Sequence, residues 1–301
     1  MDILLNHLEN KGTLLFDGSM GTELMLRGLN QGEIPDVWNI KKPEVVQDIF
    51  KNYFTAGSDL VQTATFRANP IALKAKNLEN LVEKINESSA SLLNDVRPEG
   101  RLIVGDIGPS GVFFPPVGNA DFNELVSNFK RQAKVLAPIV DTFHLETFSD
   151  IQEMKAAIEG VRKATNKPII ASMTYNRTSR GFFTIMGNSL KDSFTELIES
   201  KVSVIGANCT LGSEDFVQLY KDMKIINQTF PLSLKPNAGK PILQNDRLMY
   251  QQTPEEFGKD MSTILNLNNG PLIIGGCCGT NPDHIKLLRN LIDQKNRVRI
   301  K

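Results

Sequence analysis

The sequence predicts a (β/α)8 barrel. Eight short β-rich runs alternate with helix-like segments from one end of the chain to the other. Several of these runs are apolar without alternation, as suits parallel strands covered on the outside by helices. No GxGxxG follows the first run, which removes the main mark of the competing doubly wound sheet. The 301 residues contain no Ser/Gly/Pro-rich linker and no low-complexity segment, so one domain spanning 1–301 is expected.

In chain order, the predicted strands are Thr13–Asp17, Leu60–Thr65, Leu102–Ile107, Ile139–Glu146, Pro168–Thr174, Val202–Cys209, Leu232–Pro236 and Leu272–Cys277. Between the first two, Pro43–Ala56 places Val45, Val46, Ile49, Phe50 and Tyr53 at helical spacing and stops at Gly57. Trp38, shortly after Pro35, is expected to pack the long loop before it. Pro70–Val96 reads as one long helix, followed by helices over Asp121–Leu136, Asp150–Ala164, Leu190–Glu199, Ser213–Ile226, Thr253–Leu265 and Asn281–Leu291. Thr253 with Glu256 forms the pattern of a capping box, and Asp150 is placed to cap the helix after strand four.

Composition excludes several classes. Lys+Arg and Asp+Glu both number 34, so neither a nucleic-acid footprint nor a membrane-surface footprint is present. No apolar run approaches the ~20 residues needed to span a bilayer. Met1–Gly12 lacks the pattern of a signal peptide, so a cytoplasmic location with reduced thiols is expected.

In a barrel of this class the active site forms where strands run into the following loops. The polar residues that fall there are Asp17-Gly18-Ser19, Thr63-Ala64-Thr65-Phe66, Asp106, Glu146, Cys209, Lys235-Pro236-Asn237 and Cys277-Cys278. All three cysteines of the chain therefore lie behind predicted strands six and eight, on one face. They read either as three ligands of a zinc site with its fourth position open, or as three small buried hydrophobes. Adjacent residues of a strand point to opposite faces, so Cys277 and Cys278 can share a metal only if the chain leaves strand geometry there. Gly275, Gly276 and Gly279 permit that. A dithiol switch at Cys277-Cys278 is disfavoured, because neighbouring cysteines are badly placed for an unstrained disulfide. Asp106 is either a further site acid or a turn former, and Asp17 could merely stabilise its Asp-Gly turn. His144 reads as a satisfied core histidine, and His7 and His284 as surface helix residues. Phe113-Phe114 either line the mouth or pack a loop.

The segments DGSMGTEL, IGPSG, ETFSD, GANCTLG, KPNAGKP and GGCCGT, in this order along essentially the whole chain, resemble the homocysteine S-methyltransferase family. Within it they are most similar to the N-terminal homocysteine-binding domain of cobalamin-dependent methionine synthases. The resemblance implies a (β/α)8 barrel with one Zn2+ per chain on Cys209, Cys277 and Cys278. It further implies that Asp17, Gly18 and Ser19 hold the amino-acid end of homocysteine, that Glu146 takes its ammonium, and that Asn237 sits beside the metal. The implied reaction makes methionine, with methylcobalamin brought by a corrinoid protein or domain. The alternatives are the same reaction with S-methylmethionine or another small methyl donor and, in a different class, a non-catalytic zinc- or thiol-binding subunit. Two stretches depart from the family pattern. Ala64 and Arg67 alter the segment after strand two, and residues 180–187 lack a Gly-Arg-Thr run. Both leave the donor and its docking open.

Overall fold

A computed structural model describes residues 2–30, 32–244 and 247–299. The ends of the expected 1–301 domain lie outside that range. The strands β1 (Thr13–Leu15), β2 (Leu60–Gln62), β3 (Leu102–Ile107), β4 (Thr142–Phe148), β5 (Ile169–Met173), β6 (Val204–Gly212), β7 (Leu232–Asn237) and β8 (Leu272–Ile274) form one parallel sheet. Its order is β1-β8-β7-β6-β5-β4-β3-β2, so from β2 to β8 each strand pairs with its sequence neighbour, and β8 pairs with β1, around a (β/α)8 barrel.

The seam between β1 and β2 is closed without a regular ladder. The Asp59 N–H donates to Leu15 O at 2.7 Å, and the Leu15 N–H donates back to Asp59 Oδ2 at 2.9 Å. One turn higher, the Gln62 N–H donates to Asp17 Oδ2 at 2.8 Å. Two carboxylates thus stand in for missing backbone partners, which a buried sheet edge requires. Asp59 is itself held by Lys11, Arg101 and Arg289 beneath the barrel.

Alternation along each strand sorts the core into two layers. Leu14, Phe16, Leu60, Leu102, Val104, Ile170, Val204 and Ile273 face inward and fill the barrel floor. Leu4 and Leu8 of an N-terminal helix, Ile3–Lys11, plug this cluster from below. Leu15, Val61, Ile103, Leu145, Ile169, Ile205, Leu234 and Ile274 face outward and pack under the surrounding helices. Trp38 is buried among them, as expected.

Several elements differ from the sequence expectation. The 70–96 segment is not one helix. It breaks into Pro70–Lys74, a short 3-10 turn at Glu79–Leu81 and Val82–Asp95, with Asn77 between them at φ 55°. Two small antiparallel hairpins, Asn176–Thr178 with Gly181–Phe183 and Ile242–Gln244 with Arg247–Met249, arise in the loops after β5 and β7. His284 is buried rather than exposed. The chain returning from the second hairpin covers it, and the Gln252 carbonyl lies 3.1 Å from its Nε2. Asp150 does cap its helix through the Gln152 N–H, and Thr253 with Glu256 forms the capping box.

Candidate functional site

The three cysteines meet at the carboxyl ends of β6 and β8. Their sulfurs lie within 4.8 Å of one another, and Cys209 Sγ is 3.8 Å from Cys278 Sγ. With Zn–S bonds of about 2.3 Å, the sulfurs of a tetrahedral site are separated by roughly 3.8 Å, so the donor set fits zinc. All three are partly exposed, which leaves an approach for a fourth donor.

The backbone departs from strand geometry on both sides of this cluster. β8 ends at Ile274, three residues short of its expected end, and Gly275-Gly276 carry the chain into the cysteine turn. A Cβ on Gly276 would sit 2.3 Å from Thr280 Oγ1, so only glycine fits. The turn is tied down by Cys277 N–H to Pro236 O at 2.8 Å and by Ala238 N–H to Cys278 O at 2.9 Å. The Thr280 hydroxyl adds a bond to Cys277 O at 2.7 Å. β6 runs past its expected end to Gly212, and its register with β7 shifts between Asn208 and Gly212. In that stretch Cys209 and Thr210 adopt φ 61° and φ 59°. Left-handed conformations cost non-glycine residues of order 1–3 kcal/mol each and persist where the surroundings enforce them. Here they turn the Cys209 thiol toward the other two. Crowding among the three thiols, and burial, push their pKa values up. For Cys209 the hydrogen bond with Cys277 works against the shift, but Cys278 and burial outweigh it and push the pKa up to about 12.

Beside the thiols lies a buried polar network. Lys235 Nζ, near the end of β7, donates to Asp17 Oδ1 at 2.8 Å and to Gln62 Oε1 at 2.9 Å. It also stands 3.9 Å from the Phe16 ring centroid. Gln62 Nε2 donates to Glu146 Oε1 at 3.0 Å. His144 is fully buried, with Nδ1 3.1 Å from Gln62 Oε1 and Nε2 2.8 Å from Ser172 Oγ. Burial, then the Lys235 charge, hold its pKa well below the ordinary value, so it stays neutral. Burial likewise raises Glu146, although Lys235 opposes the shift. Glu146 Oε2 has no hydrogen-bond partner, nor does Asn237 Oδ1 at the end of β7.

Of the expected site residues, Asp17 has both carboxylate oxygens engaged, by Lys235 and by the Gln62 N–H. Gly18 packs so closely that a Cβ there would lie 2.8 Å from Thr280 Oγ1 and 3.0 Å from the Tyr53 hydroxyl. The Ser19 N–H donates to Thr280 Oγ1 at 3.2 Å, and the Ser19 hydroxyl caps the Met20–Leu26 helix through the Thr22 N–H. Thr280, two residues past the cysteines, thus binds the first loop to the last. Sequence reasoning missed Gln62 and gave no role to Asn208 or Thr280, although both stood in quoted motifs. It noted Lys235 only as a polar residue at a strand end, though a lysine in an otherwise apolar strand was a signal that a buried partner was waiting.

The family model for homocysteine S-methyltransferase matches residues 14–292. The methionine synthase of Mycobacterium tuberculosis is 27% identical over 288 residues, which cover 90% of this chain and 24% of that protein. That of Mycobacterium leprae is 28% identical over 294 residues, covering 90% and 23%. The chain therefore spans about a quarter of the length of these relatives. The metallated form of the homocysteine methyltransferase MmuM from Escherichia coli superposes with a TM-score of 0.76 at 22% identity, over 95% of this chain and 99% of that one. Barrel, ordered motifs and matched span agree, and the chain belongs to the homocysteine S-methyltransferase family.

Proposed function

We propose that this chain transfers a methyl group to the sulfur of homocysteine, giving methionine, with zinc held by Cys209, Cys277 and Cys278. The observation that carries the reading is the convergence of three thiols within 4.8 Å on a family barrel, at an accessible strand end. Zinc there would act as a Lewis acid, lowering the pKa of a substrate thiol so that it is held as thiolate near neutral pH.

The chain's own residues provide the rest. Glu146 directs an unpartnered buried oxygen into the pocket and receives the substrate ammonium in a charge-assisted hydrogen bond. The Lys235–Asp17 pair fixes the Asp17-Gly18-Ser19 turn, against which the amino-acid carboxylate is seated. Asn237 lies at the end of β7, next to the cysteine turn, with Oδ1 free to accept a bond. Held at both ends, the homocysteine sulfur attacks a methyl carbon in line. The S–CH3 bond forms as the bond from methyl to donor breaks, and the proton of the thiol has already left to solvent on binding. Positioning accounts for much of the gain.

Methylcobalamin on a corrinoid protein or domain is the donor favoured by the relatives, which are named methionine synthase and are about four times as long. A second reading, a small donor such as S-methylmethionine, draws support from the Escherichia coli homocysteine methyltransferase, whose barrel accounts for 99% of its own chain. The deciding experiment supplies zinc-loaded protein and homocysteine with methylcobalamin, S-methylmethionine or betaine and follows methionine. Turnover with methylcobalamin is expected. No methionine from any donor would overturn the proposal and leave a non-catalytic thiol-binding subunit.

A further inference from the structure

Asp106 and Glu146 face each other inside the barrel. Asp106 on β3 stands opposite His144 on β4, and Glu146, two residues on, points to the same face. An oxygen from each carboxyl group and a His144 ring nitrogen lie within 4.8 Å of one another. Asp106 is 3% exposed and Glu146 6%. Asp106 Oδ1 and Glu146 Oε2 both lack a hydrogen-bond partner. Two orphaned carboxylate oxygens in one dry pocket would be costly side by side.

The charges around them can be counted. Asp17 from the end of β1 and Lys235 from β7 form an ion pair at 2.8 Å and cancel. Gln62 from β2 and Ser172 from β5 are neutral and occupy both ring nitrogens of His144, which is itself neutral. His144 is therefore not free to ligate a cation in this cluster. Asp36, from the loop before the Pro43–Thr55 helix, faces the pocket with a carboxyl that burial raises to about 6. If Asp106 and Glu146 were both ionised, they would add two negative charges to a pocket where Asp36 already carries one at neutral pH. One proton on Asp106, donated to Glu146 Oε2, pairs the two orphaned oxygens, leaves the pair a single charge and leaves Oε2 a second lone pair for the ammonium. Burial first, and then the Glu146 charge, hold the Asp106 acid well above the usual range.

We propose that Asp106 is a positioning residue of the pocket: a neutral carboxylic acid that donates its proton to the Glu146 carboxylate and sets the Asp106–Glu146 pair at one negative charge, matched to one ammonium. The inference rests on the reading that Glu146 receives the ammonium of homocysteine. Asp106 thereby selects an amino-acid thiol over the same thiol without its amine. It does so by orienting Glu146 rather than by touching the substrate.

The test compares dissociation constants of L-homocysteine and 4-sulfanylbutanoate, which lacks the ammonium, on zinc-loaded protein by calorimetry. Wild type should prefer homocysteine, and E146Q should lose that preference. D106N, whose amide still donates, should keep the preference within about threefold. D106L, which cannot donate, should lose about tenfold of it, the worth of one hydrogen bond to a charged group. Calorimetry in two buffers of different ionisation enthalpy should show wild type and D106N releasing the same number of protons on binding homocysteine. Greater proton release by wild type, or a D106N loss as large as that of D106L, would show Asp106 ionised on the ammonium and overturn the proposal. Unchanged preference in D106L would do the same. Zinc content and near-UV dichroism report whether D106L folds; if it does not, the D106N ratio and proton count still decide. Failure of wild type to bind homocysteine at all would instead overturn the proposed function.

Discussion

Asn208 Nδ2 donates to Cys277 Sγ at 3.8 Å while Asn208 Oδ1 accepts from the Thr147 N–H at 2.8 Å. One side chain therefore spans from a thiol of the proposed metal centre to the residue after Glu146, which sits at φ 66°. A donor to a thiolate disperses its charge and orients it, and such outer contacts are typically worth 10–100-fold in metal affinity. Asn208→Asp keeps the acceptor for Thr147 and loses the donor. It should weaken zinc binding by about tenfold in competition with a chromophoric chelator. An unchanged zinc affinity would show that Asn208 serves β4 alone.

The Lys235–Asp17 pair is almost wholly buried, with side chains 2% and 4% exposed. Burial alone would favour a neutral lysine, and the Asp17 and Glu146 charges reverse that and raise its pKa. Lys235→Met leaves the Asp17 carboxylate without its counter-charge, a loss of about 3–5 kcal/mol for a buried pair broken on one side. Lys235→Met with Asp17→Asn should recover much of this, since replacing both partners avoids the orphaned charge. Urea unfolding of the two variants measures the difference. Equal destabilisation in both would mean that the pair contributes packing rather than charge.

The barrel and the cysteine cluster were legible because each rests on a local pattern. Apolar runs such as Leu272–Ile274 declare buried parallel strands, and only three thiols had to be placed. The glycines around Cys277-Cys278 announced a departure from strand geometry, and the strand does end before them. At Cys209 there is no such announcement. Its φ of 61° is imposed on a cysteine followed by a threonine, residues that locally prefer otherwise, by the β6–β7 register shift. Gln62 was invisible for a related reason. Its importance lies in hydrogen bonds to Glu146, 84 positions away, and to Lys235, 173 positions away. His284 was misplaced because what buries it is a strap from another loop, not its own helix.

Two buried groups give opposite slopes of stability against pH. Asp36 is raised from 3.8 to about 6 by burial, against a bond from the Arg67 N–H. Its carboxyl binds its proton more tightly in the folded chain, so stability falls as pH rises from about 4 to about 6. The loss is on the order of 3 kcal/mol once Asp36 is ionised. His144 has a lowered pKa, so its contribution is present above pH 6.5 and is lost as pH falls below it. In Asp36→Asn the first slope should shrink by about that amount, the remainder coming from other raised buried carboxyls such as Glu146, while the second remains. Chemical denaturation of wild type and variant at pH 4.5, 6 and 7.5 tests this. Parallel curves for the two proteins would remove Asp36 as the source.

The proposed metal half and ammonium half of the site should separate under mutation, because their proposed ligands come from different elements, the cysteines from β6 and the turn after β8 and Glu146 from β4. Cys278 lies on the turn after β8 and contributes only its thiol, 3.8 Å from that of Cys209. Glu146 lies on β4 and contacts Gln62. Cys278→Ala leaves two thiols, fewer than any of the common three-protein-ligand zinc sites, and a structural loss of one ligand from three is not compensated by nearby histidine. His144 is locked between Gln62 and Ser172, and His284 between Asn281 and Gln252. This variant should purify with little zinc and bind both thiols weakly, while still preferring homocysteine over 4-sulfanylbutanoate. Glu146→Gln should keep full zinc content and bind 4-sulfanylbutanoate as wild type does. It should lose about 10–100-fold in homocysteine affinity, the range for a hydrogen bond between charged groups in a dry site. Metal analysis and calorimetry on the two proteins give all six numbers. Full zinc retention in Cys278→Ala would remove the third thiol from the metal centre, and zinc loss in Glu146→Gln would mean that Glu146 supports the metal centre rather than the ammonium.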